Sequence, residues 1–452
     1  MSRLFLDVST LSRWSGPPVG MIRVESELAR LAAAMTPPAE PVFYDPVRKA
    51  FRRLSPGWRD RLLGWHAILD TWKIDYFSHE TGWRRAVPSR QPIMRVLERR
   101  RLLTRSPFMA GAMEALQRLV LGVRAHGTPF RAADGTRIAM IPADLALGEA
   151  VTFAAGDTLF SAASDWGRKD PEELRAMKQA SGCRIVVVCY DIIPLTHPRF
   201  FPAADVAIFQ AYWEKMFTVA DRVIVNAGAI RRDVETWCVG AGLAPPQLSV
   251  VPLGADPVSP AAGTPLPEGL EPDRYALFVS TIEPRKNHAL LLDAWEALLA
   301  RGIPQAHRFR LVFVGRAGWM VDHVIRRLAE PAAFAGTVTH LRNMDDARLQ
   351  ALYAGCAFCL YPSFHEGFGL PVVEAHAHGK AVLASNGGAL AEVAGALSPT
   401  LDPDDTAGWA AAMEEWIGNP EARRAAEAVV RARFRPRPWS DVARDMLAAA
   451  AD

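Results

Sequence analysis

Phe358-Cys359-Leu360-Tyr361-Pro362-Ser363-Phe364-His365-Glu366-Gly367-Phe368-Gly369-Leu370-Pro371-Val372-Val373-Glu374 passes from an apolar run, through a loop marked by proline and glycine, into a helical pattern. A short apolar run without polar alternation marks a strand covered on both faces. Pro371 suits the first helical position, where its fixed φ and missing N–H cost nothing. Gly367 and Gly369 let the main chain approach a ligand closely and expose its amides. Glu374 then falls near the end of the first turn, and Glu366 in the loop before the helix. Two carboxylates so arranged can accept hydrogen bonds from different hydroxyls of one extended ligand. The alternative is that Glu374 only complements the helix dipole and Glu366 is a surface loop residue. Spacing alone leaves both readings open.

Around this stretch the pattern alternates. Strands are expected at 276–280, 310–314, 338–341, 358–361 and 381–385, and helices at 287–299, 321–329, 346–353 and 371–378. Strands separated by helices of this length imply right-handed crossovers and a doubly wound parallel sheet, whose ligand sits beyond the carboxyl ends of the strands. Upstream, a strand at 4–8, a glycine turn at 16–20 and a helix at 22–31 open a second α/β pattern. Apolar runs at 184–190 and 222–226 continue it, the latter leading into a helix at 230–237. The Pro- and Gly-rich stretch 252–272 reads as the boundary between the halves.

After the strand at 276–280 comes Thr281-Ile282-Glu283-Pro284-Arg285-Lys286-Asn287. Two adjacent cations at the mouth of a parallel sheet, beside a helix N-terminus, suit a diphosphate. An ordinary basic loop capped by Asn287 is the plainer reading.

At 452 residues, half of them hydrophobic, the chain has material for two cores. Five cysteines do not describe a disulfide framework, and no apolar stretch reaches membrane-spanning length. No signal peptide is evident at the start, so the cytoplasm is the expected compartment. The net charge of +3 hides a basic stretch, 48–124, with 17 Lys/Arg against 6 Asp/Glu and with Trp58, Trp65, Trp72 and Trp83. Such a mixture suits an anionic membrane surface, at the inner face of a plasma membrane, or a lipid-phosphate substrate. It also suits a solvated helical insertion. Cys356 and Cys359 read as core thiols rather than half a zinc site. His376 and His378, two apart on a helix, do not share a face. Metal and cofactor sites are not expected, nor is a nucleic-acid partner.

The ordered residues carry a resemblance. Glu366 and Glu374 form the E-x7-E pattern of retaining glycosyltransferase family 4, the glycosyl transferases group 1, within Pro-Ser-x-x-Glu-Gly-Phe-Gly-Leu-Pro-x-x-Glu. The segment 281–287 looks like the subset that includes bacterial mannosyltransferases of polysaccharide assembly. Tyr190-Asp191-Ile192-Ile193-Pro194, Val251-Pro252-Leu253-Gly254, and Ser385-Asn386 with Glu392 are further matches; at the N-terminus only 20–28 echoes the family.

The resemblance implies an α/β protein of GT-B fold, with two Rossmann-like domains facing each other across a cleft. The domains would be 1–258, carrying the insertion at 48–124, and 259–438, with 439–452 as a helix returning to the first. It also implies a retaining hexosyltransferase that moves a sugar from a nucleotide-diphosphate sugar, such as GDP-mannose, to a glycan or lipid-linked oligosaccharide acceptor in bacterial surface polysaccharide synthesis. Arg285 and Lys286 would hold the diphosphate, and Glu366 the sugar hydroxyls with amides from Gly367, Phe368, Gly369 and Leu370. Glu374 would hold the ribose, and main chain near Asn343 and Met344 would face the base. Gly20 would let the first domain close over the phosphates, with Arg23 assisting. Two departures stand out. Thr281 occupies a place where the family often has Arg, and Tyr190 one where many members have His, leaving Asp191 as the better polar candidate for catalysis there. They support one rival, a catalytically inactive nucleotide-sugar-binding scaffold; a second rival is an enzyme such as an epimerase that modifies the donor alone. His365 lies near the expected sugar pocket.

Overall fold

The structure, a computed structural model, describes residues 2–14, 20–35, 38–45, 48–63, 67–70, 75–78, 82–85, 109, 112, 130–131, 137–142, 146–163, 166–256, 264–342 and 344–452. Most of the basic stretch 48–124, including Trp65 and Trp72, lies outside them, as does Asn343. By compactness the chain divides into two units: Met1–Val188 with Val219–Asp221 and Ala450–Asp452, and Cys189–Thr218 with Arg222–Ala449.

In the first unit, strands β1 (Leu4–Asp7), β2 (Glu40–Asp45), β3 (Ala50–Leu54), β4 (Leu147–Ala150), β5 (Thr158–Ser161) and β6 (Arg184–Cys189) lie in the order β6-β5-β1-β2-β3-β4. The pairs β1–β5, β1–β2 and β5–β6 are parallel. The pair β2–β3 is antiparallel, because the link from Asp45 to Ala50 is too short for a crossover, and β3–β4 is antiparallel as well. The helix Pro171–Ser181 shows how local sequence sets boundaries. Asp170 accepts from the Glu172 amide, Pro171 opens the helix, and Gly182 ends it at φ +71°. At the carboxyl end of β1 the buried Asp7 gathers Ser9, Lys169 and, at 2.8 Å, the Ser161 hydroxyl. Burial drives the Lys169 ammonium well below its ordinary pKa.

The second unit holds the parallel pair β7 (Arg222–Val225) and β8 (Leu248–Val250), and a six-stranded sheet. The sheet is built from β9 (Tyr275–Val279), β10 (Arg310–Val314), β11 (Val338–Leu341), β12 (Phe358–Tyr361), β13 (Val382–Ser385) and β14 (Thr400–Leu401). Its order is β11-β10-β9-β12-β13-β14, with every pair parallel. Counted from β9 this is 3-2-1-4-5-6, wound outward in both directions from the β9/β12 junction. The strands are covered on both faces, which is why their sequences run apolar without alternation. The helix His288–Ala300 buries Leu291, Trp295 and Leu298 against them, and the Trp295 indole N–H is satisfied by Thr337 Oγ1 at 2.9 Å. Among the described residues no helix is long and apolar enough to cross a membrane.

Candidate active site

Because β9 and β12 are neighbours, with Ala276 opposite Phe358, the loops leaving their carboxyl ends emerge side by side. The β9 loop brings Arg285 and Lys286 on a single turn, Pro284–Lys286, and the β12 loop brings Glu366. Their side chains meet. Glu366 Oε2 accepts from Arg285 Nη1 at 2.7 Å, while Oε1 accepts from Lys286 Nζ at 2.5 Å and from Ser363 Oγ at 2.7 Å. Arg285 also donates to the His365 carbonyl at 2.7 Å and, through Nη2, to Glu283 Oε1 at 2.6 Å.

Glu366 is not a surface loop residue; it is 8% exposed. Burial works to raise its pKa, but Arg285 and Lys286 outweigh burial and hold it down at about 2. Arg285 is likewise buried, which disfavours its charge, and Glu366, Glu283 and Asp191 overcome this to push its pKa up. Sequence reading gave Arg285 and Lys286 to the diphosphate and Glu366 to the sugar hydroxyls. The structure instead interleaves them, with Glu283 and Glu366 compensating Arg285 and Lys286. Among the described residues, lone-pair accounting leaves Glu366 one acceptor position on Oε2.

Glycine geometry fixes the loop. A Cβ at Gly367 would stand 2.7 Å from the Tyr190 carbonyl oxygen and 2.9 Å from the Asp191 carboxylate, so only glycine lets that segment lie against the β12 loop. Asp191 is thereby brought to the site. Its carboxylate accepts from the Ile193 amide at 3.1 Å, and burial raises its pKa against the pull of Arg285. Gly369 adopts φ +93°, and the helix Leu370–Ala377 starts there, making Pro371 its second residue instead of its first. Glu374 sits on that helix and accepts from the Tyr353 hydroxyl at 3.1 Å. Asn287 does not cap the next helix. It takes a left-handed conformation and its amide donates to the carbonyls of Pro362, at 3.2 Å, and Pro403, at 2.8 Å.

Met344 is partly buried at the start of the loop after β11. Gly20 and Arg23 belong to the first unit. Gly20 holds φ +53° before the helix Met21–Ala32, and its carbonyl accepts from the Arg23 amide at 3.1 Å. Cys356 and Cys359 are buried core thiols 3.6 Å apart. His376 meets Ser398 Oγ at 2.8 Å whereas His378 stacks on Tyr353, so the two histidines face different ways. Among the described residues no group of three or more His, Cys, Asp or Glu is placed to hold a metal ion.

Sequence reading missed several contributors. Gly387 and Gly388 pass beneath residues 363–366: a Cβ at Gly387 would sit 2.2 Å from the Phe364 carbonyl oxygen, and the Ala389 amide donates to the Glu366 carbonyl at 2.9 Å. The Gly-Gly pair directly after a strand was the available signal. Glu392, which the sequence matched without a role, accepts from the amides of Gly228 and Ala229, each at 2.9 Å, capping the helix Gly228–Gly240 from outside. A cavity of about 300 Å³ lined by Glu271, Arg274, Arg308 and Arg310 opens at the amino ends of the strands, the opposite edge from the ligand-binding edge of such sheets.

A parallel sheet wound 3-2-1-4-5-6, with paired cations and a buried carboxylate at its switch point, defines a Rossmann-like domain. Residues 267–432 match the family model for glycosyl transferases group 1. Over 131 residues the chain is 40% identical to O-antigen chain mannosyltransferase B of Escherichia coli, covering 29% of this chain and 33% of that protein. Over 306 residues it is 28% identical to the serotype-specific mannosyltransferase WbdA of Escherichia coli, covering 64% and 37% respectively. The chain thus spans about a third of the length of these curated relatives. Sucrose-phosphate synthase from Thermosynechococcus elongatus is similar in fold alone, with a TM-score of 0.54 and 17% identity over 99% of this chain and 98% of that one. The fold is GT-B, with two parallel-sheet Rossmann-like domains.

Proposed function

We propose that this chain is a retaining glycosyltransferase. It moves a hexose, mannose from GDP-mannose in the first instance, to a glycan or lipid-linked acceptor in bacterial surface polysaccharide synthesis. The observation that carries the reading is the buried Glu366 between Arg285 and Lys286 at the β9/β12 switch point. The mannosyltransferase names of the relatives support the donor class.

In this reading Arg285 and Lys286 receive the diphosphate. Breaking the anomeric bond leaves extra negative charge on the departing diphosphate and positive character on the sugar. Cations brought there beside Glu283 and Glu366 stabilise that charge as it develops. Glu366 keeps one acceptor position for a sugar hydroxyl, aided by the amides of Gly367, Phe368, Gly369 and Leu370. Asp191, held against Gly367, is the polar group on the sugar side. Glu374 binds the ribose, and main chain around Asn343 and Met344 faces the base. Gly20 and Arg23 serve the phosphates from the first domain, taken as 1–258, with 259–438 as donor domain and 439–452 as the returning helix. The basic stretch 48–124 meets an anionic membrane surface from the cytoplasmic side.

A panel of nucleotide sugars tested with lipid-linked mannosyl acceptors decides the matter. Transfer with retained anomeric configuration is expected. Donor binding with no transfer to any acceptor favours the scaffold, and product from donor alone an epimerase-type enzyme.

A further inference from the structure

We propose that Asp233 is a positioning residue for the donor loop, acting through His365; the inference rests on the reading of Glu366 as the group that meets the donor sugar.

Asp233 lies on the helix Gly228–Gly240, and its Oδ2 is 2.9 Å from His365 Nε2 across 132 residues of sequence. An ionised carboxylate only accepts hydrogen bonds, so Nε2 must carry the proton. In the neutral imidazole Nδ1 is then the acceptor, a choice made by the partner at the opposite nitrogen.

The ring is enclosed on its other sides. His197 lies 4.5 Å away between centroids, and a Cβ at Gly388 would stand 2.8 Å from His365 Cδ2. The main chain of the same residue is part of the donor site, because its carbonyl accepts from Arg285 Nη1, the nitrogen that also binds Glu366. Ring, carbonyl and the neighbouring carboxylate therefore share one placement. The platform for Asp233 is itself fixed, since Glu392 caps the first turn of its helix. The charged and titratable groups around the ring are Asp233 from this helix, Asp191, His197 and Arg199 from the segment after β6, and Arg285 and Glu366 from the donor loops. Among these, Asp233 alone lies outside the segments that define the donor loops and the segment after β6. Removing it frees the imidazole to take either tautomer and to rotate, and the Arg285–Glu366 register loosens with it.

The test uses Asp233→Ala, Asp233→Asn and Asp233→Glu in the full chain. Three measurements apply: turnover of GDP-mannose, melting curves, and side-chain ¹⁵N NMR of His365 at alkaline pH. Loss of one charge-assisted hydrogen bond predicts a fall in kcat of about tenfold for Asp233→Ala. The KM for GDP-mannose should stay within about twofold, because the nucleotide contacts are untouched. Asp233→Glu should recover part of the rate. NMR should show the Nε2–H tautomer in the parent protein and a mixture in Asp233→Ala, or in Asp233→Asn should the alanine variant not fold. An unchanged kcat, a loss carried by KM, or a parent imidazole that is already mixed overturns the proposal. Were the parent protein to transfer no sugar, the functional reading would fail, while the NMR arm would still decide the role of Asp233.

Discussion

Glu366→Gln separates two roles that a simple loss-of-function variant would merge. Glu366 pairs with both cations that a diphosphate needs, with Arg285 at 2.7 Å and Lys286 at 2.5 Å. Glutamine keeps the shape but removes the charge and turns one acceptor into a donor facing a cation. Breaking a nearly buried pair this way should cost about 3 kcal/mol of stability. The same change removes a negative charge beside the incoming phosphates. At a separation of about 7 Å and an effective dielectric of 20 that repulsion is about 2 kcal/mol, or about 30-fold in affinity. The variant should therefore melt earlier, bind GDP or UDP more tightly than the parent protein, and transfer no sugar. Isothermal titration with each nucleotide reads the effect directly. Weaker or unchanged nucleotide binding would refute the idea that Glu366 and the diphosphate compete for the same two cations.

Three further outcomes can be measured. Burial holds His288 down at about 3 and His376 at about 4, and burial with Lys380 nearby holds His378 at about 4, all below the ordinary 6.5. The unfolded chain thus binds more protons, so stability is full above about pH 6.5 and is lost as pH falls toward 4; melting curves should show this, and His288→Leu, which replaces a ring packed between Phe278 and Phe313 with both nitrogens unpartnered, should flatten the decline. Gly367→Ala drives a methyl into the Tyr190 carbonyl and Asp191, which should cost about 1–3 kcal/mol and at least about a tenfold loss of transfer in a folded protein; near-parental rates would separate Asp191 from the site. The full chain should sediment with anionic vesicles and release as salt shortens the Debye length, and salt-insensitive binding would remove the electrostatic role given to 48–124.

Five of the six strands of the second sheet were legible almost residue by residue, and the two-residue β14 was not expected. The expected strands 310–314, 338–341 and 358–361 are those observed, and 276–280 and 381–385 differ from Tyr275–Val279 and Val382–Ser385 by a residue. Runs covered on both faces and punctuated by Gly and Pro leave little freedom. The first half was harder, because β3 carries Arg52 and Arg53 within an antiparallel edge and lacks a continuous apolar signature. In the site, the residues that approach a ligand could be read from the motif, but their partners could not. Gly388 beneath the loop and Asp233 behind His365 are defined by contacts across the fold, which no local spacing encodes, whereas Glu283 stands two residues before Arg285 in the same loop. Asn287 misled for a related reason: a residue type suited to capping was used to tie two loops together.

A crystal structure of the protein soaked with GDP-mannose tests the central claim most directly. The diphosphate should lie within hydrogen-bonding reach of Arg285 and Lys286, with a sugar hydroxyl on Glu366. A diphosphate bound elsewhere, for instance among Arg274, Arg308 and Arg310 at the amino edge of the sheet, would contradict it.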